Sequence, residues 1–175
     1  MRAVIFAALA GISTPAAAEV VSAGPNGFEV RHTVNLVIPS EVAFSAFAKI
    51  GAWWDPKHTY SGDSANLSLS LAPGGCFCER FPKGGGGIEH MRVTYVEPGE
   101  RLVLSGALGP LLYEATTGVM DIQIKTNGEG SQLTLDYRVA GFANGGAEKM
   151  APLVDGVLAG QMKRLRAFAT TRPRT

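Results

Sequence analysis

Between Phe28 and Ile38 apolar and polar positions alternate strictly. Phe28, Val30, His32, Val34, Leu36 and Ile38 fall on one face, and Glu29, Arg31, Thr33 and Asn35 on the other. A period of two predicts a long strand with one buried face. Pro39-Ser40-Glu41 then opens a helix, with proline suited to the first turn and the acid to its positive end. Ala43, Ala46, Phe47 and Ile50 recur at helical spacing, and Gly51 stops the run. The segment Ala52 to Tyr60, AWWDPKHTY, has neither period and reads as an aromatic loop. Six strands follow: Leu67–Leu71, Cys76–Phe81, Ile88–Val96, Arg101–Ser105, Thr116–Lys125 and Gln132–Phe142. Turns at Pro73-Gly74-Gly75, Gly84–Gly87, Glu97-Pro98-Gly99-Glu100 and Asn127-Gly128-Glu129-Gly130 separate them, the last a strong hairpin signal.

From Glu148 to Ala169 the spacing is helical again. Met150, Leu153, Val154, Val157, Leu158, Gln161, Leu165 and Phe168 make one stripe, and Pro152 fits only the first turn. Gly156 and Gly160 each cost the helix about 1 kcal/mol relative to alanine. Either they leave space between helix and sheet, or they permit close helix–sheet packing. The order strand, helix, loop, six strands, helix predicts an α+β fold. Its antiparallel sheet is apolar on one face, and the long C-terminal helix covers that face.

Charge and ends refine this. Arg2 is followed by the uncharged apolar run Ala3–Ile12, the breakers Ser13, Thr14 and Pro15, and the small-residue pattern Ala16-Ala17-Ala18. This is the layout of a secretory signal peptide, with cleavage expected after Ala18 and a periplasmic or secreted product. Its apolar core is too short to span a bilayer, and no second run is long enough. Residues 19–26 read as an N-terminal extension, 27–170 as one domain and 171–175 as a tail. The chain has 16 Lys plus Arg against 15 Asp plus Glu, so loss of Arg2 balances the charge. Without a basic stripe, nucleic-acid binding is not expected. The cluster Lys163, Arg164, Arg166, Arg172 and Arg174 suits a helix C-terminus.

Cys76 and Cys78 are the only cysteines. On an extended strand they share a face with Cα atoms roughly 6.5–7 Å apart, the upper edge of disulfide reach. An oxidising compartment or a local bulge after Gly75 favours the bond. A soft metal set of Cys76, Cys78, His90 and Met91 fails because adjacent residues of a strand face opposite ways, so no metal is expected. Two buried thiols lining a pocket wall are the third reading. Glu79 and Glu89-His90 fall across the glycine turn. Glu79 and His90 could form an acid–base pair; the alternative is a cross-strand ion pair of Glu79 or Glu89 with Arg80 or Arg92. His32 is either a core histidine or a polar cavity contact. Trp53, Trp54, His58 and Tyr60 combine apolar area with polar tips, as a ligand mouth requires, or else plug the core. Gly84–Gly87 lacks the Lys-Ser/Thr of a phosphate loop, and no cofactor is implied.

Four motifs in this order carry a family resemblance: PSEVAF at 39–44, Trp53-Trp54, PGGCFCE at 73–79 and VEPGERL at 96–102. Over residues 27–170 the chain resembles the START-like (SRPBCC) superfamily, in the branch of polyketide cyclases and heat-shock chaperone ATPase activators. The resemblance implies a helix-grip fold, a curved sheet holding the last helix around an internal cavity. Members of the superfamily bind apolar molecules there, and some are cyclases or dehydratases. Three functions follow as expectations. The first is binding of a small apolar or amphipathic molecule, with Trp53, Trp54, His58, Tyr60, Cys78 and Tyr95 around it. The second is an enzyme using Glu79 and His90 for proton transfer in the same cavity. The third is a protein-interaction role through the sheet.

Overall fold

A computed structural model describes residues 18–171. The rest of the expected signal peptide and the last four residues of the tail lie outside them. Eight strands form one antiparallel sheet: β1 (Ala18–Gly24), β2 (Gly27–Leu36), β3 (Leu67–Leu69), β4 (Cys76–Arg80), β5 (Gly87–Glu97), β6 (Arg101–Gly106), β7 (Ala115–Asn127) and β8 (Gly130–Phe142). Their order is β1-β2-β8-β7-β6-β5-β4-β3. Two helices, α1 (Ser40–Ala48) and α2 (Ala151–Thr170), are the other long elements, and α2 packs chiefly on β2. The architecture is the expected helix-grip α+β fold.

The alternating pattern holds where a face is buried. Phe28, Val30, His32, Val34, Leu36 and Ile38 are all in the core. So are Leu133, Leu135, Tyr137 and Val139 of β8, which pairs with β2 along its length. The β7–β8 hairpin closes on Asn127↔Gly130, with Gly128 at φ +60°, where glycine carries no penalty. The strand that the sequence did not announce is β1. Its Val20 and Val21 are exposed, and a strand without a buried face leaves no alternation to read. The segment read as an extension is therefore an edge strand, paired to β2.

Strand β5 carries two irregularities. Phe77 pairs with Met91 and Cys78 with Glu89, so His90 is an extra residue opposite β4. Val93 pairs with Leu104 and Tyr95 with Val103, so Thr94 is a second one opposite β6. Each bulge bends the strand and flips the phase of the residues beyond it.

Helix α2 buries Leu158, Gln161, Met162, Leu165 and Ala169. Pro152 sits in its first turn. Gly156 and Gly160 lie on its exposed side, and a Cβ at either would meet nothing within 4 Å. Neither the space-making nor the close-packing reading holds for them. Gly156→Ala and Gly160→Ala should each raise unfolding free energy by up to about 1 kcal/mol, because backbone entropy is lost with no clash introduced. Urea denaturation would measure this; destabilisation by either would mean that an unseen surface packs on that side of α2.

Candidate functional site

The aromatic loop between α1 and β3 is held from two sides. On the helix side, Gln161 Oε1 accepts from the Asp55 N–H (2.9 Å) and Arg164 Nε donates to the Trp53 carbonyl (2.8 Å). On the sheet side stands Glu79, whose residue is 1 % exposed. Its Oε2 accepts from the Tyr60 N–H at 3.1 Å and its Oε1 from the Ser61 N–H. The same Oε2 lies 3.1 Å from His90 Nε2. One carboxylate thus gathers two backbone donors of the loop and an imidazole of β5.

Electrostatics follow from that arrangement. Burial pushes the Glu79 carboxyl up, but the hydrogen bonds from Ser61, Tyr60 and His90 together outweigh it and leave it below its ordinary value. For His90, burial disfavours the imidazolium and outweighs the pull of Glu79, so its pKa is lowered. An ionised Glu79 beside a neutral His90 is the resulting state near neutral pH. His32 is also lowered, by burial, although Asp155 of α2 stands 3.1 Å from its Nε2. It is a core histidine and does not line the cavity described next.

Between the loop, the sheet and α2 lies a cavity of about 430 Å³. Trp54, Phe77 and His90 form its inner wall, and Met150 with Val154, Val157 and Leu158 of α2 forms the opposite one. Tyr60, His58, Pro110, Tyr113 and Leu153 surround the rim. Tyr113 and Leu153 are 77 % and 63 % exposed, large apolar groups left in water beside an apolar cavity. The Tyr60 hydroxyl donates to the Gly109 carbonyl (2.8 Å), joining the two rim loops. Behind them, the Tyr137 hydroxyl accepts from the Leu108 N–H (3.1 Å) and contacts the Gly106 carbonyl (3.2 Å). Burial pushes the Tyr137 phenol up to about 12, so it stays protonated.

Several expected site residues are brought together here. Glu79 and His90 pair as the acid–base reading required, and Trp54, His58 and Tyr60 line the cavity. Neither glutamate forms the ion pair expected across β4 and β5. Glu89 instead pairs with Arg92 on its own strand, in the solvent. The inward position of His90 comes from the bulge. Met91 and Val93 face inward, so strict alternation would have turned Glu89 inward too; the extra residue sends His90 there and Glu89 out. His90 and Met91 are consequently both buried, not on opposite faces.

Three residues are misplaced by the sequence reading. Trp53 is a core plug: its Nε1 donates to the Ala46 and Phe47 carbonyls, both at 3.1 Å, closing the end of α1, and it does not line the cavity. Tyr95 is 46 % exposed on the outer face because the Thr94 bulge shifts its phase; it bonds Glu97 and stacks under Arg101. Cys78 also faces outward, since Phe77 and Glu79 take the inward positions of β4. It is bonded to Cys76, with Cα atoms 5.3 Å apart, closer than an ideal strand allows. The distortion lies between Phe77 and Cys78, opposite the extra His90, and not after Gly75 as a bulge was expected. With Glu89, the cysteines form the one trio of metal-type ligands found among the described residues, and the disulfide takes up both sulfurs. Phe77, Tyr113 and the 108–110 segment were not anticipated. Phe77 was flagged only by its place between two cysteines, and a 3-10 turn carries no periodic signal.

No family model matches the chain, and no curated protein matches its sequence. Solved structures do. An uncharacterised protein from Rhizobium leguminosarum superposes with TM-score 0.63 at 15% identity, over 91% of this chain and 100% of that one. CalU16 from Micromonospora echinospora gives 0.57 at 15%, over 89% and 87%. Ara h 8.0201 gives 0.59 at 11%, over 83% and 99%. The chain has the START-like, helix-grip fold. In that fold the candidate cavity occupies the space between the gripped helix and the sheet.

Two measurements check the site. Glu79→Ala should cost about 2–4 kcal/mol of unfolding free energy, because it strands two backbone donors and an imidazole. Glu89→Ala, which breaks an exposed pair, should change it by no more than about 0.5 kcal/mol. Equal effects would mean that Glu79 does not organise the loop. Acid should also destabilise the protein in two stages. Folded His32 and His90 bind protons less readily than their ordinary value of 6.5 allows. Stability is therefore full above that value and declines as pH falls from 6.5 through the folded-state values. Glu79, also lowered, adds a further loss as pH falls below its ordinary 4.5. A Tm that stays flat from pH 7 to 4 would contradict both.

Proposed function

We propose that this protein is an exported START-like module that holds a small apolar or amphipathic molecule between α2 and the sheet. The observation that carries the reading is the cavity: about 430 Å³, walled by aromatic and aliphatic side chains, with exposed Tyr113 and Leu153 at its rim. That volume is within the range of small-molecule sites. No helix among the described residues is long and apolar enough to cross a membrane. The leader pattern of residues 1–18 supports export, and so does the Cys76–Cys78 disulfide, a bond that persists in oxidising compartments.

One observation favours a second reading. An imidazole backed by a carboxylate in an apolar wall is the arrangement of a general base, which suits an enzyme of cyclase or dehydratase type. The His90→Ala variant separates the two. It would abolish turnover in an enzyme and weaken binding severalfold in a carrier.

Binding is tested with 8-anilinonaphthalene-1-sulfonate. Its emission should rise on addition of protein, and tryptophan emission should be quenched, because Trp54 lines the cavity and Trp53 stands 5.6 Å from it. Leu153→Asp removes rim contact area at an exposed helix position. It should leave stability within about 0.5 kcal/mol and weaken binding by about tenfold. Failure of the dye to bind, or equal binding by the variant, would count against the cavity as the site. Intact mass of the exported protein should lack residues 1–18 and be two hydrogens lighter than its reduced form; a full-length mass would refute export.

A further inference from the structure

The pairing of Glu79 with His90 decides which end of the imidazole a bound molecule meets. Glu79 Oε2 accepts from the Tyr60 N–H, Oε1 accepts from the Ser61 N–H, and Oε2 faces His90 Nε2 at 3.1 Å. A carboxylate in the ionised form has acceptors only. The proton between the two side chains therefore belongs to Nε2. A neutral imidazole has a single N–H, so Nδ1 is left with a bare lone pair.

No group among the described residues donates to that nitrogen. The hydroxyl of Tyr60, whose ring packs against the imidazole, gives its proton to the Gly109 carbonyl. Three buried polar atoms make no well-formed hydrogen bond: His32 Nε2 and Asp155 Oδ1, which face each other at 3.1 Å, and Gln161 Nε2. His90 Nδ1 is not one of them, although His90 is buried and lines the cavity. The rings of Phe77 (4.9 Å between centroids) and Tyr60 (5.9 Å) flank the imidazole and fix its plane. The cavity thus presents an oriented acceptor in an otherwise mainly apolar wall, and no carboxylate lines it.

We infer that the cavity selects apolar molecules that carry a hydroxyl or phenol group, and that this O–H donates to Nδ1 of His90. The inference rests on the ligand-binding reading above and narrows it to a chemical class. A ligand without a donor would desolvate Nδ1 and leave it unpaired, which costs affinity. A molecule whose only polar group is an ether or ketone offers another acceptor and is disfavoured for the same reason.

The test compares 2-naphthol with 2-methoxynaphthalene, equal in ring system and different in the donor. Both are titrated at pH 7.5 by quenching of Trp54. The naphthol should bind about tenfold more tightly, the factor of one hydrogen bond. In His90→Phe the ratio should fall to about one, while Tyr60→Phe should keep it. Should His90→Phe not fold, ¹⁵N NMR of the wild-type imidazole gives the same answer. The bare Nδ1 resonance should shift with naphthol and stay in place with the ether. Equal affinities in the wild type, or a proton found on Nδ1, would overturn the inference and leave the cavity as a general apolar site. Failure of both probes to bind would overturn the ligand-binding reading, and this inference with it.

Discussion

A single buried carboxylate organises this protein's functional end. Glu79 sits in the sheet, yet what it bonds belongs to two other places: the backbone of the aromatic loop at Tyr60 and Ser61, and the imidazole of His90. A buried charge is tolerated only where its oxygens are fully used, and here they are. The loop is thereby fixed over the cavity with Trp54 turned in, and the histidine is fixed in one tautomer. Structure and chemistry share one group, so the residue that shapes the cavity also sets its polarity.

The bulge at His90 makes that sharing possible. It places two adjacent residues of β5, His90 and Met91, on the inward face, and it accompanies the close approach of Cys76 and Cys78 on the outward face of β4. Phe77 lies between the cysteines and points the other way, against His90 and Trp54. One irregularity in the ladder therefore has an inner consequence, the polar group of the cavity, and an outer one, the disulfide.

The cavity exists because α2 presents more apolar surface than the sheet can cover. Met162, Leu165 and Ala169 are buried beyond the cavity, whereas Leu153, Val154, Val157 and Leu158 face the gap below the loop. The hydroxyl of Tyr60 ties the 106–109 segment to the aromatic loop, and that of Tyr137 ties it to β8.

Local pattern determined the elements. A period of two from Phe28 to Ile38, the Asn127–Gly130 turn and the helical stripe after Glu148 each specify one conformation, and together they specify an antiparallel sheet covered by a long helix; the helix-grip name came from the family resemblance. Side-chain chemistry brought Glu79, His90, Trp54, His58 and Tyr60 into view. Pattern fails where the ladder breaks phase. The bulges at His90 and Thr94 decide that His90 turns inward while Glu89 and Tyr95 turn outward, and a bulge is set by cross-strand register that a single strand does not carry. Trp53 and Trp54 are identical neighbours in the sequence. Only the packing of α1 against the loop makes one a plug and the other a wall. Edge strand β1 lacks a buried face and so lacks a signal. The sequence determined which residues could form the site; the tertiary structure decided which of them face each other, because orientation depends on partners distant in the chain.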